Sequence, residues 1–118
     1  MLVVEFDSHE HNYLVVDEEP YFILETGEGF LVTRDRCPHR GGPLHLGEWN
    51  GRTKSLVCPW HGTCLMEPAL NRRSVPAVRS GHNITAMFPV SNETSFQFQK
   101  RMVIANDNAK SSPVANRR

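Results

Sequence analysis

The sequence predicts an all-β domain, an antiparallel sandwich or barrel carrying a small subdomain of two loops. Three observations predict it. Short apolar runs rich in Val, Ile, Leu, Phe and Tyr alternate with turn chemistry, no long helical period occurs, and the middle of the chain is dense in glycine and proline and holds all three cysteines.

Four strands are expected in the first third, at 2–6, 12–16, 21–25 and 30–33. Asp7-Ser8-His9, Asp17-Glu18-Glu19-Pro20 and Gly27-Glu28-Gly29 divide them. From 34 to 64 the composition becomes that of loops, with Pro38, Gly41, Gly42, Pro43, Gly47, Gly51, Pro59 and Gly62, broken by one short strand at 55–57. Further strands are expected at 63–67, 75–79, 83–88 and 95–98, with Gly81 in a turn, and 102–105 reads as a last docked segment. This gives one domain over 1–105, with loops at about 36–45 and 57–64. Residues 106–118, polar and without periodicity, read as a disordered tail.

The chain has 118 residues, enough for one small core. No apolar run approaches the ~20 residues of a membrane helix, and the start holds Glu5 and no basic segment, so a cytoplasmic setting without a signal peptide is expected. Net charge is zero but unevenly spread. Residues 1–33 hold eight acids and no Lys or Arg, whereas 34–118 hold all 13 basic residues and five acids. One reading is two solvated faces; the other is a dipolar molecule whose basic end steers docking. Nucleic-acid binding is disfavoured, because aromatic residues are not interleaved with the basic ones.

Three cysteines in such a chain point away from a disulfide framework and toward metal or redox chemistry. Cys37-Pro38-His39-Arg40-Gly41-Gly42-Pro43-Leu44 and Cys58-Pro59-Trp60-His61-Gly62 each supply one thiolate and one imidazole. Two anionic sulfurs and two neutral nitrogens suit zinc or an iron–sulfur cluster. A zinc finger usually takes both sulfurs from one turn, whereas here each loop offers one of each. That layout suits a two-iron centre with two Cys on one iron and two His on the other. The formal charges of such an oxidised centre cancel. It is therefore easier to reduce than an all-cysteine cluster, at roughly −150 to +300 mV against about −400 mV. Oxidation also acidifies the free ring nitrogens, so the potential should fall at high pH. Pro38 and Pro59 fix φ after each thiolate, and the glycines let backbone N–H groups approach the sulfurs.

The two motifs resemble those of the Rieske family, in the form seen in ferredoxins and in the N-terminal domains of ring-hydroxylating oxygenases. The likeness is strong over 36–63 and weaker over 1–104. It implies one [2Fe–2S] cluster, with Cys37 and Cys58 on one iron and His39 and His61 on the exposed one, in an all-β fold. It also implies a proline-bearing third loop over the cluster, for which Arg73-Ser74-Val75-Pro76-Ala77 is the candidate. Where respiratory Rieske proteins brace their loops with a disulfide, this chain has Gly42 and Trp60. Where high-potential members carry a hydrogen-bonding serine and tyrosine, it has Thr63 and Leu65. The resemblance therefore implies a potential in the intermediate-to-low part of the family's range. Leu65-Met66-Glu67 also departs from the family's Phe-Asp.

Among the remaining residues, Cys64 reads as a small core residue, Trp60 as packing that shields the cluster, and His9, His11, His45 and His82 as surface or cap residues. Arg40 is weighed evenly between partner contact and solvation. The leading functional expectation is a one-electron carrier. Too few residues follow the loops for an oxygenase's catalytic domain. The resemblance implies a flavin-dependent reductase as donor and a terminal oxygenase or other redox enzyme as acceptor. Arg36, Arg40, Arg52, Lys54, Arg72, Arg73 and Arg79 flank the loops in sequence, so an acidic docking patch is expected on a partner. Two alternatives remain: a small subunit of a nitrite-reductase-like or biosynthetic enzyme, and a zinc-stabilised binding module.

Overall fold

The computed structural model describes residues 1–38, 41–60 and 62–106. Eleven strands among them form three antiparallel sheets. β1 (Leu2–Asp7), β10 (Asn83–Phe88) and β9 (Ala77–Ser80) make the first, in the order β1-β10-β9. β11 (Phe96–Gln99), β2 (Tyr13–Val16), β3 (Glu19–Glu25), β4 (Phe30–Arg34) and β8 (Ser74–Val75) make the second, in that order. β5 (Glu48–Asn50), β6 (Ser55–Val57) and β7 (Cys64–Met66) make the third.

The five-stranded sheet is the middle layer. β1 alternates buried and exposed residues, and its Leu2, Val4 and Phe6 pair in register with Phe88, Ala86 and Ile84 of β10. Those six pack with Leu14, Val16, Tyr21, Ile23 and Val32 from one face of the middle sheet. Tyr13, Phe22 and Leu24 point the other way, into a second core with Leu44, Trp49, Leu56, Leu65, Leu70, Cys37 and Cys58. In β3, Tyr21-Phe22-Ile23-Leu24 is consequently buried throughout. A strand covered on both faces needs such an unbroken apolar run.

The turn between β2 and β3 is two residues long, with Asp17 at φ 53° and Glu18 at φ 67°. Positive φ at both central positions is the primed turn whose twist matches a tight hairpin.

All the expected strands are present, with shifts of a residue or two at their ends. Two differ in kind. The expected strand 75–79 is cut at Pro76, which lacks an N–H for a ladder. The chain leaves the middle sheet at Val75 and enters the first sheet at Ala77. The expected strand 63–67 stops at Met66, because Glu67-Pro68 opens a helix, α1 (Glu67–Arg72), with proline in its first turn. α1, β5 and a 3-10 turn at Leu44–Leu46 are absent from the sequence reading. At six and three residues, they are too short to show a period.

Val103 and Ala105 are buried, as expected of a docked segment. Asn106 extends the anchor: its side chain accepts from the Glu25 N–H at 2.7 Å and donates to the Ile23 carbonyl at 2.8 Å. The rest of the expected tail, 107–118, lies outside the described residues. No helix among the described residues is long and apolar enough to cross a membrane.

Candidate metal centre

Both cysteine loops close in the same way. The Cys37 carbonyl accepts from the Gly41 N–H at 2.8 Å, and the Cys37 N–H donates to the Gly42 carbonyl at 2.9 Å. The Cys58 carbonyl accepts from the Gly62 N–H at 3.0 Å, and the Cys58 N–H donates to the Thr63 carbonyl at 2.8 Å. Each cysteine thus faces a glycine four residues on and a carbonyl five residues on. Gly41 has φ 74° and Gly62 φ 69°, and a Cβ at either would meet nothing within 4 Å. These two glycines are required for their backbone angle and not for space.

Gly42 is required for space. A Cβ there would lie 2.8 Å from Cys58 Sγ, 3.2 Å from Trp60 Cδ2 and 3.3 Å from Trp60 Cγ. The first loop therefore rests directly on the sulfur and indole of the second. Gly42 and Trp60 meet where the resemblance placed a disulfide in other proteins. Trp60 packs on the first loop along one edge and leaves the rest of its ring exposed.

Cys37 and Cys58 are free thiols, 4% and 2% exposed, and share one apolar core. Cys64 is the correction: it is exposed. Strand β7 buries Leu65 and turns its neighbours Cys64 and Met66 outward, so alternation excludes Cys64 from the core. Leu65, at the position where high-potential members of the family carry a tyrosine, is buried. The expected ligands His39 and His61, and Arg40, lie outside the described residues.

The second correction concerns histidine and charge. His45 is buried, not a surface residue, and its Nδ1 lies 2.7 Å from Asp35. Of the seven basic residues expected to flank the loops, Lys54 and Arg79 instead pair with Glu28 and Glu25 at or beside the β3–β4 turn. That turn is at the opposite end of β3 and β4 from Cys37. Arg34 and Arg36 are exposed beside the first loop, and Arg73 reaches the Arg36 carbonyl with its guanidinium. Burial chiefly, then repulsion by Arg34, lowers the pKa of Arg73, while Glu19 and Cys37 oppose the shift. The candidate third loop is thus not free: it runs through β8, paired to β4 at Val32 and Thr33, with Arg73 against the first loop.

Sequence reasoning missed Tyr13 and Asp35. Asp35 accepts from the Tyr13 hydroxyl at 2.6 Å and the His45 N–H at 2.7 Å. Burial first, then the Asp35 hydrogen bond and charge, push the Tyr13 pKa up. An acid between the β4 run and Cys37 was the available signal.

The family model of the Rieske [2Fe-2S] domain matches residues 2–89. The chain belongs to this family. A Rieske domain binds a [2Fe–2S] cluster and passes electrons through it, and two buried thiols on matched, touching loops are a donor set that fits such a group. Curated relatives are similar over part of their length. A methylxanthine N1-demethylase, NdmA, of Pseudomonas putida is 32% identical over 65 residues, which are 49% of this chain and 18% of that protein. A Rieske domain-containing protein of Homo sapiens is 40% identical over 57 residues, 46% of this chain and 35% of its own. The match spans a minority of either relative. No solved structure gives a significant match.

Proposed function

We propose that this chain is a one-electron carrier of the ferredoxin kind, accepting from a flavin-dependent reductase and delivering to an oxygenase or another redox enzyme. Residues 1–105 form the cluster domain. Cys37 and Cys58 hold one iron of its cluster, and His39 and His61 the other. The observation that carries the assignment is the repeated loop: the same two hydrogen bonds close around Cys37 and Cys58, and the loops meet at Gly42. Pro38 and Pro59 follow each thiol directly in the sequence, and His39 and His61 each lie in sequence between a cysteine and its glycine. Likeness to a demethylase supports a partner acting on an organic substrate.

When bound, the cluster supplies a single reversible electron site. The chain's own residues bury the two thiols and hold the loops against each other. Arg34, Arg36 and Arg73 put positive charge beside the first loop, with Glu19 and the buried Asp35 as acids nearby. The matching surface on a partner is acidic, and such pairs gain mainly in encounter rate.

The test is expression under iron-replete, oxygen-free conditions. Two irons and two acid-labile sulfides per chain, with a paramagnetic signal after dithionite, are expected. Alanine at His39 or His61, or serine at Cys37 or Cys58, should abolish the signal. A colourless protein holding one zinc overturns the proposal. Reduction by a flavin reductase should slow as salt rises, and a rate indifferent to ionic strength removes the acidic docking surface.

A further inference from the structure

A carboxylate is buried two residues before Cys37. Asp35 is 4% exposed; its two oxygens accept from the Tyr13 hydroxyl and the His45 backbone N–H, and one of them lies 2.7 Å from His45 Nδ1. Asp35 thus accepts a hydrogen bond on both carboxylate oxygens inside the fold. Its backbone is held as well, the N–H donating to the Pro20 carbonyl at 2.9 Å and the carbonyl accepting from Leu44 at 3.2 Å. The Tyr13 ring meets the His45 ring edge-on with centroids 5.2 Å apart, and Arg101 lies 4.2 Å from the Tyr13 centroid on its face.

The need for this arrangement lies in a difference between the two loops. The second loop grows from a regular hairpin, with Ser55, Leu56 and Val57 paired to Met66, Leu65 and Cys64. The legs of the first loop share one bridge, Arg36 to Pro43, closed by the flanking Cys37–Gly42 and Leu44–Asp35 backbone bonds. Asp35 on the outgoing leg and His45 on the returning leg add a side-chain cross-link to that single bridge, and Tyr13 ties it to β2.

We infer that Tyr13, Asp35 and His45 are positioning residues for the first loop, and that the Asp35 carboxylate lowers the reduction potential of the cluster. The inference rests on Cys37 being a ligand, as proposed above. Asp35 and Cys37 are two residues apart, so their Cα atoms are separated by at most about 7.6 Å. A buried negative charge close to a redox centre opposes arrival of an electron. Replacing it with a neutral amide of the same shape removes that opposition.

The experiment is a potentiometric titration, followed by electron paramagnetic resonance at pH 7, of the reconstituted full chain and of Asp35→Asn and Tyr13→Phe. Iron, sulfide and thermal unfolding are measured in parallel. In Asp35→Asn the reduction equilibrium should shift at least about tenfold toward the reduced form, a rise of 59 mV for one electron. Tyr13→Phe keeps the charge and removes an O–H dipole from it, so the equilibrium should shift about twofold the other way. Clusters with unchanged potential in Asp35→Asn, whatever their yield, overturn the electrostatic role. If Asp35→Asn holds no cluster, Tyr13→Phe decides: a lowered potential supports the inference, and an unchanged or raised one overturns it. A Cys37→Ser protein that keeps its full cluster would refute the ligand assignment instead, and the inference with it.

Discussion

Gly42→Ala tests the contact between the loops. The added methyl would sit 2.8 Å from Cys58 Sγ and 3.2 and 3.3 Å from two indole carbons of Trp60. The first distance lies well inside ordinary van der Waals contact, and both neighbours belong to a loop closed by backbone hydrogen bonds. Overpacking of this kind costs about 1–3 kcal/mol. Gly42 lies outside the positive-φ region, so alanine there also removes unfolded-state freedom and returns ~0.4–1 kcal/mol. The net loss is at most about 2.6 kcal/mol and centres on about 1 kcal/mol, and about 1 kcal/mol lowers Tm by roughly 4–8 °C in a domain of this size. Because the strain falls on a sulfur, cluster content should drop further than Tm alone implies. Gly41→Ala is the control. Its φ of 74° imposes backbone strain of ~1–2 kcal/mol, but its Cβ touches nothing, so the cluster should survive a comparable loss of Tm. Adding Trp60→Ala should not rescue Gly42→Ala, since the sulfur contact remains. The assay is iron and sulfide per chain beside thermal unfolding. A Gly42→Ala protein that loads fully and melts with wild type refutes the close approach of the loops.

Two further outcomes follow from burial. Cys64→Ser should leave cluster content unchanged and stability within ~0.5 kcal/mol, as expected for an exposed position, while Cys37→Ser and Cys58→Ser lose the cluster; metal analysis of the three variants checks it. Tyr13 should resist ionisation in alkali. Its folded pKa is raised above the unfolded value of 10, so folding favours the neutral phenol; stability is full below pH 10 and falls as pH rises toward the folded pKa. Ultraviolet titration of wild type against Tyr13→Phe should show Tyr13 ionising together with alkaline unfolding, and ionisation of Tyr13 near pH 10 in the intact fold would contradict its burial.

The strands were legible because each carries its own signal. Apolar runs mark Leu2–Asp7 and Asn83–Phe88 as strands, and the charged stretch Asp17-Glu18-Glu19-Pro20 marks a turn, which the structure narrows to Asp17-Glu18. The layer order was not legible. Nothing local in Tyr21-Phe22-Ile23-Leu24 says which neighbour packs on which face, because that depends on segments sixty residues away. The two thiols were legible because Cys-Pro and the following glycine repeat. Cys64 misled because a cysteine is by default a small buried residue, whereas the pairing of Val57 with Cys64 sets its face. His45 misled and Asp35 was missed because polarity alone predicts exposure. Their contacts with each other and with Tyr13 offset the cost of burying them.

The middle sheet gives a way to separate support of the loops from stability of the fold. Phe22 and Ile23 are adjacent in β3, 0% and 2% exposed, and point into different cores. Phe22 packs in the core that holds Cys37 and Cys58, and Ile23 in the one closed by β1 and β10. Truncating either to alanine leaves a cavity costing about 3–5 kcal/mol for Phe22 and 2–5 kcal/mol for Ile23. The surroundings of such a cavity relax only partially, so the loss falls first on the residues that line it. Compared at equal distance below their own Tm, Phe22→Ala should surrender iron to a chelator several-fold faster than Ile23→Ala. Phe22→Ala would change what lies beneath the cysteine loops, whereas Ile23→Ala would change only the sandwich behind them. Equal rates of iron loss at matched stability would mean that the two cores yield as one unit, and that the sheet between them does not insulate the metal centre from the rest of the fold.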